Sequence, residues 1–420
     1  MLLYLISKDK NMWGGKVYQN ILEKINENQI LDYLSELIEI QSPQNDIGKV
    51  KDFVRRVAGH VKSVGFDEVK IDGMGNLIAR IKGSAKHRSL MYFAYAGTFP
   101  AGDMNDPFTA KMLDGVQFGV PGKVIRGRGV VEQKSILAAM YMAAKAVMDS
   151  KIKLKGDFIL AVSTAGETGN HEAAIYMVEK DGLHADMGIV GMYTNNEVCL
   201  GARGRVDLEV TVSGRSVHSS TPELGINALE KMARIVEASK KLTMPVHVRL
   251  GSAALTAVGI ECLPKSHATI PDTCIAIFDR RLLPNETPEK ARMELSALVE
   301  RLKQTDPELD AEVKIQSFKS ETLDFKIVEM LQLPFDVNPD LPIVKSLCKA
   351  ITTVTGKNSE KTYVRYICDG GYLNSVGIES AVFGPGDPKF AHTSNDVVPI
   401  DKVTEATKAL AFTMVDLLSQ

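Results

Sequence analysis

The segment Arg126-Gly127-Arg128-Gly129-Val130-Val131-Glu132-Gln133-Lys134 sets a carboxylate directly after a glycine-rich turn. A carboxylate there can lend one oxygen to each of two cations, a task that glutamate and aspartate share with different reach. Read alone, the segment is equally a tight turn followed by a solvated helix start. Glu167 follows the apolar run Phe158–Ser163 and the pair Ala165-Gly166. At the end of a buried strand in an α/β sheet it is placed for acid–base work, and beside Gly166 it is also a candidate helix cap. Arg203 and Arg280 are of the type that grips a substrate carboxylate by a two-pronged contact, with ion pairing at the surface as the alternative for Arg280. Gly384-Pro385-Gly386 makes a tight turn that presents the segment ending at His392.

The elements that must carry these residues follow from periodicity. Apolar positions recur at helical spacing from Val17 to Ile40 and again from Val50 to Val64, with a break at Gln41-Ser42-Pro43 between them. Glu68–Ile71 and Leu77–Ile81 read as short strands joined by Asp72-Gly73-Met74-Gly75-Asn76. Ser89–Tyr95 and Phe158–Ser163 are apolar runs suited to buried strands, separated by an Ala/Met-rich helix over Ile136–Met148. Strands alternating with helices of this length imply a mainly parallel sheet flanked by helices. From Gly204 the pattern changes. Val206–Val212 alternates as a half-buried strand, Asn227–Ser239 is helical, Thr273–Phe278 is a strand, Pro288–Leu302 is helical, and Ala311–Ile315 closes the set. That order predicts an inserted α+β open-faced sandwich, giving an α/β domain over 1–203 and 318–420 and a lid over 204–317.

With 420 residues, more than one core is expected. Hydrophobic residues at 45% and charged residues at 24% fit a soluble globular chain rather than a disordered one. There are 50 basic against 52 acidic residues, so no cationic excess recommends nucleic acid or an anionic membrane as a partner. The five cysteines are odd in number and lack metal-type pairing, which reads as reduced thiols in a reducing compartment. The short apolar start Met1–Ile6 runs into Lys8 and Asp9 and supports neither a secretion signal nor a membrane span. A cytoplasmic protein is the expectation.

Several segments, in order, resemble the dinuclear zinc peptidase and deacylase family that includes glutamate carboxypeptidase, acetylornithine deacetylase and succinyl-diaminopimelate desuccinylase. They are Asp106-Pro107-Phe108, Asp114-Gly115, the Gly127-Arg128-Gly129 segment, and Glu167 after a strand. Gly201-Ala202-Arg203-Gly204, Val217-His218-Ser219-Ser220-Thr221-Pro222 and Asp279-Arg280-Arg281-Leu282 follow, then Asp369, Phe383-Gly384-Pro385-Gly386 and Ala391-His392-Thr393-Ser394-Asn395. The resemblance covers about residues 30–418; each piece is weak alone, and their shared order gives it weight. It implies a two-domain α/β fold whose lid mediates a homodimer. It also implies a small-molecule substrate, with Arg203, Arg280, Asp369 and Gly384 in its binding. His218 resembles the lid histidine that reaches across the dimer to the oxyanion.

In that family two zinc ions share a water. Their ligands are a His from a His-x-Asp motif, a bridging Asp, the second member of a Glu-Glu pair, a later acidic residue and a C-terminal His. The first Glu of the pair is the general base. Here the His-x-Asp position reads Tyr95-Ala96-Gly97, the bridge is Glu132, the pair is Glu167-Thr168, the later acid falls on Met192, and the terminal histidine is His392. Tyrosine, threonine and thioether groups are poor zinc ligands beside imidazole and carboxylate. The expectation is therefore at most one divalent metal (zinc, manganese or cobalt) on Glu132 and His392, not a pair. His171, Glu172 and Asp369 are candidates for a third ligand, with a helix start as the plainer role of the first two. On this reading the chain hydrolyses C–N bonds, amide or carbamoyl, in small N-substituted amino acids, with Glu167 and His218 catalytic. One alternative is a catalytically silent relative acting as a ligand-binding or partner subunit. Another is a metal-free reaction using Tyr95 and Glu167 as acid and base.

Overall fold

Asn26 divides the long N-terminal helical stretch into two. Its side chain accepts from the N–H groups of Asn28 (2.9 Å) and Gln29 (3.3 Å), capping a second helix at Glu27–Glu39 after a first at Gly15–Lys24. Apolar periodicity runs straight through such a cap, so the sequence suggested a single stretch; the side-chain hydrogen bonds satisfy donors that would otherwise be orphaned. The computed structural model describes residues 15–166, 171–317 and 331–419. Those residues form two compact units. One comprises the chain up to Gly201 with Val337–Tyr363 and the chain from Cys368, and the other Ala202–Asp336 with Val364–Ile367.

In the first unit, Phe158–Ser163, Leu90–Tyr95, Met187–Gly191 and Glu379–Phe383 lie side by side as parallel neighbours in that order. Leu77–Ile81 and then Glu68–Ile71 extend one edge antiparallel, and Val198–Ala202 meets Glu379–Phe383 antiparallel on the other side. Every residue of Leu90–Tyr95, Phe158–Ser163 and Met187–Gly191 is buried, so both faces of the sheet are covered. The helices Ile47–Val64, Ser135–Asp149, Pro342–Thr355 and Ile400–Leu418 provide that cover. Fully burying each large aliphatic side chain stabilises such a core by roughly 1.5–3 kcal/mol. The register pairs Tyr95 with Ser163 and Phe383 with Gly191. The carboxyl ends of the parallel strands thus come level along one edge, where open α/β sheets gather their ligands.

The second unit is an antiparallel sheet in the order Ala254–Leu263, Thr273–Leu282, Gly204–Ser213, Asp310–Ile315. Thr273–Leu282 alternates strictly between half-buried and buried positions. Its inward set, Cys274, Ala276 and Phe278, packs with Val206, Leu208 and Val210 against Met232 and Ile235 of one helix and Leu295 and Val299 of another. One face is covered and the other open, as period-two alternation demands. Leu331–Gln332 returns to pair with Val206 and Arg205, so this unit extends to Asp336, past residue 317.

Candidate active site

Gly129 stands at φ 81°, and a Cβ there would lie 2.3 Å from the Thr98 side chain, so the turn before Glu132 requires glycine. The chain then makes one π-helical turn, Val130–Lys134, buried throughout, before the α-helix Ser135–Asp149 begins. Single π turns inside helices recur at functional sites because they displace side chains from the regular repeat. Asp396 pins this turn from the far end of the chain. Its carboxylate accepts from the N–H of Gly129 (2.7 Å) and Val131 (2.9 Å) and pairs with Arg128 at 3.3 Å. Burial pushes the Asp396 carboxyl up to about 6, against the pull of those N–H groups and Arg128. Lys134 is buried beside it and donates to the carbonyls of Ile38 (3.3 Å) and Ile40 (2.8 Å). Burial draws its ammonium down to about 7, opposed by Asp396 and Glu132.

Glu132, fully buried, meets His392, with Nε2 and Oε2 3.0 Å apart. Phe99 organises both partners. Its N–H donates to Glu132 Oε1, and its ring stacks on the imidazole at 4.7 Å with planes 10° apart. His392 adopts φ 62°, uncommon for a side-chain-bearing residue, a cost the surroundings must sustain. Its side chain remains one-third exposed, so the pair has a buried carboxyl end and a solvent-facing imidazole end.

Gln133 occupies the neighbouring corner. Its carbonyl accepts from Tyr95 N–H (3.0 Å) and its amide donates to Gly191 C=O (2.8 Å), tying the ends of two parallel strands. The Met192 sulfur lies 4.0 Å from the same amide nitrogen. A Cβ at Gly384 would be 2.2 Å from the Met192 carbonyl, so this glycine admits a close backbone approach at the base of the loop that leads to His392. His171 Nδ1 and Asp369 Oδ1 are 2.8 Å apart and buried, with Tyr372 stacked on the imidazole at 6.2 Å. His171 also precedes the helix Glu172–Glu179, whose first residue is buried. Glu167 and Thr168 lie outside the described residues.

In the second unit, Arg203 donates to the Leu250 carbonyl through Nε (3.2 Å) and Nη2 (2.7 Å). Burial, with Arg365 and Arg281 nearby, holds it below the usual guanidinium range. His218 is exposed, and its Nδ1 accepts from Ser220 N–H at 3.2 Å, which places the neutral ring's proton on Nε2. Arg280 is 1% exposed and engaged by Glu286 (2.5 Å), Glu294 (3.3 Å) and the Arg281 carbonyl. It makes an ion pair, but a buried one rather than the surface pair considered from sequence.

A model of a peptidase dimerisation domain matches residues 200–307. The uncharacterized protein YgeY of Escherichia coli (strain K12) is 27% identical over 392 residues, covering 90% of this chain and 92% of that protein. An N-formyl-4-amino-5-aminomethyl-2-methylpyrimidine deformylase of Bacillus subtilis is 24% identical over 408 residues, covering 91% and 93%. Over most of its length the chain is thus similar to a deacylase, and over residues 200–307 to a peptidase dimerisation domain. The fold agrees. A tripeptidase from Staphylococcus aureus superposes with a TM-score of 0.72 at 18% identity, covering 94% of this chain and 99% of that one.

Members of the family usually bind divalent metals, so the fit of these residues to a metal pair matters. The two positions that resemble one ion's terminal ligands are Tyr95 and Met192, and the Gln133 amide contacts the Tyr95 N–H and the Met192 sulfur. Among the described residues no three His, Cys, Asp or Glu side chains come together to hold an ion. Glu132 and His392 are joined, whereas His171 and Asp369 pair with each other, and Glu172 completes no ligand group with either pair. Among the described residues, the positions that resemble zinc ligands bring together one carboxyl–imidazole pair, short of the three protein ligands of ordinary catalytic zinc. Sequence reasoning missed Phe99, Gln133 and Asp396. Only the Gly-x-x-Glu spacing hinted at a pinned turn, and nothing local marks Asp396 as its anchor.

Proposed function

We propose that this family member hydrolyses a C–N bond, amide or carbamoyl, in a small N-substituted amino acid, at an altered site holding at most one divalent cation (zinc, manganese or cobalt). The pairing of Glu132 with His392 carries the reading, because a buried carboxylate held against an imidazole and a backbone N–H has been positioned rather than merely tolerated. Glu167 serves as the proton carrier. His218, with its proton on Nε2, donates to the developing oxyanion, and Arg203 binds the substrate carboxylate. Arg280 is assigned to holding the lid together, because its guanidinium is already committed to Glu286 and Glu294. The lid mediates a homodimer, in keeping with the dimerisation domain matched over residues 200–307. A cytoplasmic location accords with the absence, among the described residues, of any helix long and apolar enough to cross a membrane.

The neutral corner formed by Gln133 and Met192 favours a second reading, a catalytically silent relative that keeps the pocket for ligand binding or as a partner subunit. One experiment separates the two. Protein purified without chelator is assayed for bound metal and for turnover of N-formyl, N-acyl and N-carbamoyl amino acids. Turnover that is lost in Glu167→Gln, with no more than one ion per chain, is the expected result. Two ions per chain would remove the altered-site reading, and saturable binding without turnover would establish the silent one.

A further inference from the structure

Cys262 and Cys274 face each other across the antiparallel pair Ala254–Leu263 and Thr273–Leu282, in direct register. Their sulfurs lie 2.6 Å apart, far inside ordinary contact between two thiols. Directly opposed residues in such a ladder have Cα atoms about 4.5–5.5 Å apart, within the range that a disulfide spans without backbone movement. The two positions differ in access. Cys274 is fully buried in the lid core, whereas Cys262 is half-buried on a strand that pairs with no other described strand besides Thr273–Leu282. We propose that Cys262 and Cys274 form a reversible cross-strand disulfide, with a low-molecular-weight disulfide such as oxidised glutathione as the oxidant.

The order of events follows from access. The Cys262 thiolate attacks one sulfur of the small disulfide, whose S–S bond breaks and releases one small thiol, leaving a mixed disulfide on Cys262. Cys274 then loses its proton to solvent and attacks Cys262 Sγ, expelling the second small thiol. Two protein thiols and one small disulfide become one protein disulfide and two small thiols, with two electrons passing from protein to oxidant. Cys274 is unsuited to the first attack, since burial, reinforced by Cys262, pushes its thiol up to about 12. The register of this strand pair shifts between Ala257 and Gly259, and the bond would pin the pairing on the far side of that irregularity. In a reducing compartment such pairs are usually transient and redox-sensing rather than structural.

The test equilibrates the full-length protein in buffers of stepped reduced-to-oxidised glutathione ratio, followed by alkylation and tryptic mapping. Trypsin cuts after Arg249, Lys265 and Arg280, so the two cysteines fall on different peptides, 250–265 and 266–280. The expected product at oxidising ratios is these two peptides joined, released by dithiothreitol, with Cys199, Cys348 and Cys368 alkylated. Cys274→Ser should instead accumulate glutathione on Cys262, and Cys262→Ser should leave Cys274 unmodified. Finding both wild-type thiols alkylated at the most oxidising ratio, or separate glutathione adducts on each, would overturn the proposal.

Discussion

Phe99 does two things for the Glu132–His392 pair, and substitution separates them. Phe99→Ala keeps the N–H that holds Glu132 but removes the ring stacked on His392. A loosened imidazole of this kind is expected to lower kcat roughly 10- to 100-fold with the fold intact, by steady-state kinetics and circular dichroism. Glu132→Gln retains the shape and loses the charge, and turnover should fall about 100-fold or more. An unchanged rate in Glu132→Gln would remove this pair from the chemistry. The two lid arginines give a sharper contrast. Arg203→Lys should raise KM for a carboxylate-bearing substrate, because lysine cannot reproduce a two-pronged grip. Arg280→Met instead strands Glu286, 5% exposed, and should cost about 3–5 kcal/mol of lid stability, read as a lower melting transition. A pure KM effect at Arg280 would return it to the substrate.

At the scale of elements, the π-helical turn depends on a residue more than 260 positions away. Asp396 satisfies two N–H groups of that turn and neutralises Arg128. Asp396→Asn leaves Arg128 buried without its carboxylate partner, an outcome worth about 3–5 kcal/mol. The expected signature is a lowered first-unit melting transition and lost activity. The parallel strands, their length and the helices between them were legible from periodicity because burial on both faces makes each strand a continuous apolar run. The break at Asn26 was not, since a cap is a hydrogen-bonding event laid over an uninterrupted apolar stripe. Ala254–Leu263 escaped notice for a different reason. On an exposed edge strand there is little burial to impose alternation.

For the whole molecule, the matched dimerisation domain predicts that sedimentation equilibrium gives twice the chain mass at micromolar concentration. A monomeric wild type would sink this expectation. The sequence by itself determined the alternation that separates sheet domain from lid, the glycines that only a tight turn or close approach can use, and the residue types at each position that resembles a metal ligand. These are local properties, written in period and composition. Tertiary structure alone decided that Glu132 meets His392, that His171 closes on Asp369, that Gln133 fills the corner between Tyr95 and Met192, and that two cysteines stand in register. Each joins segments far apart in the chain or depends on strand register, and neither distance nor register is encoded in local spacing.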